Sequence, residues 1–345
     1  MRVIVSWIAA LALFLTLASP ALAQEDSPGP GKKRVLTIGT IVPGHMGWAK
    51  RAKLIIIPPL ERLGRDRMET KIYWGGILGE EEDLLRQMKE GKLSGAAFSG
   101  SGTINACPEF AVVSLPFLFE GWDEVDFLRD RMQGDFDAYF GQRDMKLLGW
   151  LDQDFDQLYS VKNDPSTLEG LRRCRFIQWY GPVEQHLFAA LGVKTYPTQI
   201  SQAGQAFRDE RYDAAIGPAL FVLGLQLYPK ISYVLNNHLR YSPVTIVLTA
   251  REWNQFSEEE HAFFEEEFGS VSRNFTELAR EDSEKCLAAM VAYGVRRVTM
   301  DPAEAARLKE AARASWKTMS GVMFPPELLD RVSAQLAEFR SSGAP

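Results

Sequence analysis

The chain has 345 residues, 46% hydrophobic and 24% charged, with a formal net charge of -6 at neutral pH. That composition is ordinary for a soluble globular protein. The acidic balance leaves no basic excess to neutralise phosphates and so argues against a nucleic-acid partner, and beyond the N-terminal run no stretch is long and apolar enough to span a bilayer.

The chain opens with Arg2 and an apolar run, IAALALFLTLASPALA, that closes on the small-residue pattern Ala21-Leu22-Ala23. This pattern reads as a secretory signal cleaved after Ala23, which makes the protein periplasmic. The run is short for a membrane anchor of about 20 residues. Residues 24–33, QEDSPGPGKK, read as a flexible leader. The roughly 310 residues that follow are long for one core and suit two lobes.

Arg34 to Val42 is rich in β-branched residues and reads as a strand, broken by Pro43-Gly44. Trp48 to Leu63 has helical spacing that Pro58-Pro59 should interrupt. Thr70 to Trp74 is a strand, and Gly75-Gly76 turns the chain. Glu80 to Glu90 is a helix with an acidic first turn, which suits the positive end of its dipole. Leu93 to Phe98 is a short buried strand. Further on, 146–151 and 157–161 read as two strands. Leu168-Glu169-Gly170 leads into a strand at 173–177, followed by a helix over 182–191. A helix at 201–208 and strands at 212–216 and 244–249 come next, and from Ser257 onward the chain reads as helical. Asp301-Pro302 and Pro325-Pro326 are helix openings. This alternation predicts an α/β fold.

The glycine-rich stretch at 74–102, WGGILGEEEDLLRQMKEGKLSGAAFSGSG, invites an enzymatic reading that its spacing does not support. A phosphate loop needs Ser or Thr after Gly-Lys, and Gly91-Lys92 is followed by Leu93. Gly100-Ser101-Gly102 lacks the third glycine of a dinucleotide fingerprint. Neither Ser99 nor Ser101 has the flanking glycines of a nucleophile elbow. His45, His186, His238 and His261 are scattered, so neither a metal site nor a cofactor is expected. Cys107, Cys174 and Cys286 leave open one disulfide with a free thiol, or three free thiols. The loop Ser99 to Gly102 follows a strand end, where α/β sheets bind ligands. The residues alone leave a ligand loop and a plain turn equally open.

Landmarks then accumulate in a fixed order. W-G-G-x-L-G-E at 74–80 is followed by G-x-L-x-G-A and by PEFAVVSLPFLF at 108–119. After these come LLGW at 147–150, TLEGLRRCRF at 167–176, ALGVKTYPTQIS at 190–201, RYDAAIGP at 211–218, and Trp253 with Ser257-Glu258-Glu259. Together they resemble the DctP-type solute-binding proteins of TRAP transporters, as a divergent branch. The resemblance implies a two-lobed, periplasmic-binding-protein-like α/β fold, with mixed sheets flanked by helices and strands crossing between lobes. Lobe I would comprise 34–150 with about 240–270, lobe II 151–239, and 271–345 would be C-terminal helices bracing both. It also implies a non-enzymatic binder that captures a small-molecule solute, usually a carboxylate, and delivers it to integral-membrane permease subunits.

In relatives an arginine on the strand after the L-K-G turn forks onto the ligand carboxylate. The resemblance puts that role on Arg175, with Arg173 as the alternative; an ungapped match places Cys174 there. Two departures weaken a simple dicarboxylate ligand. Asp156 stands where the family often has a second arginine, and Ile216-Gly217 replaces an E-N pair. Ser99, Ser101, Trp74, Phe117, Phe155, Trp179 and Tyr180 complete the candidate lining, set against the alternative that such aromatics fill core. Two other readings stay open: an exported hydrolase using His45 with Ser99 or Ser101, and a sensory binding protein on the same fold.

Overall fold

The computed structural model describes residues 33–64, 68–179 and 181–343. The signal and most of the leader expected at the N-terminus lie outside the described residues.

Strand β1 (Arg34–Gly39) runs into helices α1 (Gly47–Ile55) and α2 (Ile57–Gly64), then β2 (Met68–Tyr73) and α3 (Glu81–Lys89). The expected interruption falls at Ile56, just before the Pro pair, which sits in the first turn of α2 where proline is tolerated. Strand β3 (Gly95–Phe98), helices α4 (Gly100–Ala106) and α5 (Trp122–Gly141), and strand β4 (Met145–Ser160) follow, with a 3-10 segment at Pro108–Ser114. Next come α6 (Leu168–Arg172), β5 (Arg175–Gln178), α7 (Gly181–Leu191), β6 (Lys194–Pro197), α8 (Ala203–Arg208), β7 (Ala214–Gly217) and α9 (Ala219–Gly224). The chain closes with β8 (Tyr233–Thr249), α10 (Ala250–Trp253), α11 (Glu258–Tyr293), β9 (Arg296–Val298), α12 (Pro302–Met319) and α13 (Pro326–Ser341).

The strands form one mixed sheet in the order β2-β1-β3-β8-β4-β7-β5-β6, with β9 also on β8. Parallel β1, β2 and β3 meet the C-terminal half of β8 through Gly95–Phe98 against Thr245–Leu248. Parallel β5, β6 and β7 meet the C-terminal half of β4 through Gln157–Ser160. Strands β4 and β8, with 16 and 17 residues, extend about 50 Å and cross between the two halves. Helix α11, at 36 residues, is about 54 Å long and packs along β4 and against both α1 and α9.

The crossing differs from the sequence expectation. The strands anticipated at 146–151 and 157–161 are one strand, and β8 begins at Tyr233 rather than 244. The polar stretch Asp152 to Gln157 reads as a break but is buried, because each acid finds a partner. Arg129 and Arg280 converge on Asp152, joined by the Tyr241 hydroxyl at 2.6 Å. Asp154 accepts from Ser283 on α11 and from the Ala219 amide at the start of α9. Asp156 accepts from Arg240 Nε at 2.8 Å and from Ser242 Oγ at 2.9 Å. Register shifts beside Asp152 and Asp156 let these acids reach different neighbours. Likewise, Leu168–Arg172 is a helical turn capped by Thr167, so β5 starts at Arg175.

Candidate functional site

The glycine-rich stretch resolves into a junction between two helix starts. Gly79 has φ +107°, and a Cβ there would lie 2.4 Å from Asp83 Oδ2, so only glycine fits. Asp83 in turn accepts the Glu80 amide at 3.0 Å, completing the capping box of α3. Glu81 turns inward: its carboxylate accepts the Ser99 amide at 2.6 Å and the Ser99 hydroxyl at 2.7 Å. Gly102 makes room, since a Cβ would sit 2.5 Å from the Glu81 carboxyl carbon. Burial pushes the Glu81 carboxyl up to about 7, against the lowering effect of the Ser99 hydrogen bonds.

Across from this junction stand the carboxyl ends of β5 and β6. Gly181, at φ +72°, opens α7 so closely against Ser101 that a Cβ would be 2.9 Å from Ser101 Oγ. Between the two sides lies a cleft of about 700 Å³. One wall carries the acidic start of α3 and Ser101. The other carries Gln178, Trp179, Thr198, Gln199, Ile200 and Gln202. Trp179 is held by its indole N–H to the Ile216 carbonyl at 2.8 Å and by its amide to Glu184 Oε2 at 2.8 Å. Beside the cleft the halves also meet through Trp48 and Trp179, each in ring contact with Phe221.

The sequence candidates divide. Ser101 and Trp179 line the cleft. Ser99 is buried behind it, its hydroxyl committed to Glu81. Neither arginine lines it. Arg175 stands at the opposite end of β5, its Nε donating to Asp213 at 2.9 Å and Nη2 to the Glu210 carbonyl at 3.0 Å. Arg173 is exposed beside Glu169. Asp156 is fully buried on Arg240 and Ser242. Phe155 packs among Trp122, His238 and Tyr241, and Phe117 packs against the core around Phe176 and Phe188. Trp74 lines a separate apolar cavity. Tyr180 lies outside the described residues. The cleft is also lined by Gln178, Thr198, Gln199 and Gln202, which are not among the residues expected from the sequence. The rule that ligands gather beyond the carboxyl ends of parallel strands would have found them, because it selects the last residue of β5 rather than its first.

His45 is exposed and shares no hydrogen bond with Ser99 or Ser101 among the described residues. Among those residues no cluster of His, Cys, Asp or Glu is placed to hold a metal ion. Cys107, Cys174 and Cys286 are free thiols.

The pattern of the family described as bacterial extracellular solute-binding protein, family 7 (DctP) matches residues 61–321. The chain belongs to that family. As a DctP-family solute-binding protein it resembles one from Chromohalobacter salexigens, 28% identical over 110 residues, 31% of this chain and a third (33%) of that protein's length. A solute-binding protein of Verminephrobacter eiseniae is 23% identical over 68% of this chain and 71% of its own length. In structure the chain is similar to the sugar acid binding protein of Advenella mimigardefordensis in complex with galactonate. That similarity has a TM-score of 0.81 and 17% identity, covering 89% of this chain and 99% of that one. A TRAP periplasmic solute-binding protein of Desulfovibrio salexigens with bound orotic acid gives TM-score 0.81 at 16% identity, over 89% and 99%. The two-lobed α/β architecture expected from the sequence is thereby established.

Proposed function

We propose that this protein captures a small organic acid in the cleft between Ser101 and Gln178–Gly181 and delivers it to the integral-membrane subunits of a TRAP transporter. The observation that carries this reading is the cleft itself. It lies beyond the carboxyl ends of β3, β5 and β6, between sheet halves joined by the crossing strands β4 and β8 and braced by α11. Such a connection permits the halves to hinge about a guest. We assign lobe I to 34–150 with about 240–270, lobe II to 151–239, and the bracing role to 271–345. This assignment is supported by the pairing of β3 with β8 and of β7 with β4. Export with cleavage after Ala23 completes the reading.

Among the described residues, the cleft lining contains no Arg or Lys side chain. Its donors are neutral: the Gln178, Gln199 and Gln202 amides and the Ser101 hydroxyl, with the Trp179 ring as an apolar wall, while the Thr198 hydroxyl is taken by the Pro197 carbonyl and Tyr212. Arg240 lies outside this lining and is engaged by Asp156. The facing wall carries Glu80, Glu81, Glu82 and Asp83, which repel a second negative charge, so the lining favours a monocarboxylate held on the amide side, with a neutral or partly apolar body, over a dicarboxylate. Relatives whose solved structures hold galactonate, gulonate or succinate support the carboxylate class. The test is thermal unfolding of the purified protein against a panel of hydroxy acids, keto acids and short lipids. One class should raise the midpoint in a saturable way; no stabilisation by any of them would overturn the proposal.

A further inference from the structure

A second cavity, of about 100 Å³, lies between helices α1, α2 and α11 and the face of the sheet. Leu36, Ile38, Ala52, Ile246, Phe268 and Phe275 form much of its wall. Among the described residues lining it, only Thr40, Thr70, Trp48 and Trp74 carry a side-chain polar atom. The Thr40 hydroxyl accepts the Val42 amide, and the Trp74 ring lies under Lys53 Nζ at 5.2 Å. The Trp48 indole N–H and the Thr70 hydroxyl are both shielded from solvent and, among the described residues, have no hydrogen-bond partner. Trp48 is 95% buried, its exposure being 5%.

Unpaired buried donors are uncommon in folded proteins, because each loses its water without replacement. A dry apolar cavity of roughly 150 Å³ takes up benzene or xenon, and this one is of the same order. A water there would find the Trp48 indole and the Thr70 hydroxyl, the lower end of the two to four polar partners a buried water takes, so an organic guest that uses one of them and fills the apolar remainder competes with it.

We propose that this cavity is a second binding site, for a small neutral molecule with an apolar body and one acceptor oxygen, such as a ketone or ester. The acceptor would take the Trp48 indole N–H or the Thr70 hydroxyl, and the body would meet aliphatic and phenylalanine side chains. A charged occupant is disfavoured because no ionised side chain lines the cavity to compensate it. The site shares no lining residue with the interlobe cleft, so its failure and that of the solute reading are separable.

The test follows the Trp48 indole N–H by proton–nitrogen NMR, assigned as the signal missing from Trp48→Phe, with cyclopentanone and benzene as probes. Saturable shifts are expected with both, and the larger downfield shift with cyclopentanone. Ala52→Leu should fill the cavity and abolish both shifts. Thr70→Val, close in shape, should keep benzene binding and weaken cyclopentanone binding several-fold, and it carries the test if Trp48→Phe fails to fold. Absence of a saturable shift with either probe, or unchanged binding in a folded Ala52→Leu protein, would overturn the site.

Discussion

Glu81 offers a sharp check on the reasoning, because it is buried among the Ser99 hydrogen-bond donors and, among the described residues, pairs with no cation. Its carboxyl is pushed up to about 7 from an ordinary value of 4.5. The folded chain therefore keeps a proton that the unfolded chain releases near pH 4.5. Folding takes up that proton between about pH 4.5 and 7, so stability contributed by this group is fully present below that window and is lost as pH rises through it. At 1.36 kcal/mol per pH unit, the loss comes to about 3 kcal/mol. Glu81→Gln removes the titration. Near pH 5 the gap between the two proteins should be small, because the protonated carboxyl presents one O–H as the amide presents NH2, and the Ser99 hydroxyl can accept from either while the other oxygen takes the Ser99 amide. Near pH 8 the variant should be the more stable by about 3 kcal/mol. Urea unfolding of both proteins at the two pH values, with equal slopes, measures it. A gap that stays constant from about pH 5 to pH 8 would refute the claim that Glu81 carries the proton.

Other expectations rest on separate contacts. Gly102→Ala places a methyl group 2.5 Å from the Glu81 carboxyl and 2.7 Å from Phe98; overpacking of this kind should destabilise by about 1–3 kcal/mol in urea unfolding. Arg240→Met strands Asp156 in the crossing strands without its cation and should cost about 3–5 kcal/mol, visible as a lower denaturation midpoint. Asp301→Ala removes the side chain that accepts the Ala303 and Glu304 amides, and should lower stability by about 1 kcal/mol in the same assay.

Much of the architecture is legible in the sequence because local signals and tertiary demand agree. The capping acids of α3, the Asp301-Pro302 start of α12 and the β-branched run of β1 each announce their element. Periodicity fails where burial is polar. Asp152, Asp154 and Asp156 look like solvent-facing breakers, yet they are satisfied by Arg129, Arg280, Ser283 and Arg240, which lie 84 or more residues away apart from Arg129. Helix α5 has no side-chain cap bond at Gly121 and shows no clear start in the sequence. The site follows the same logic. Ser101 is flanked by Gly100 and Gly102, the latter giving Glu81 room, and Trp179 lies two residues before Gly181 at φ +72°, so local signals point to them. The arginine run at 172–175 attracts notice for its charge, but strand direction carries it to the end of β5 away from the cleft. There Asp213, brought in by β7, holds Arg175.

The most direct test of solute capture is native mass spectrometry of the exported protein purified without refolding. The account predicts one small acid released on denaturation, lost from Gln178→Ala and Trp179→Ala and retained by Arg173→Ala and Arg175→Ala. Retention in both cleft variants, with loss when either arginine is removed, would contradict it.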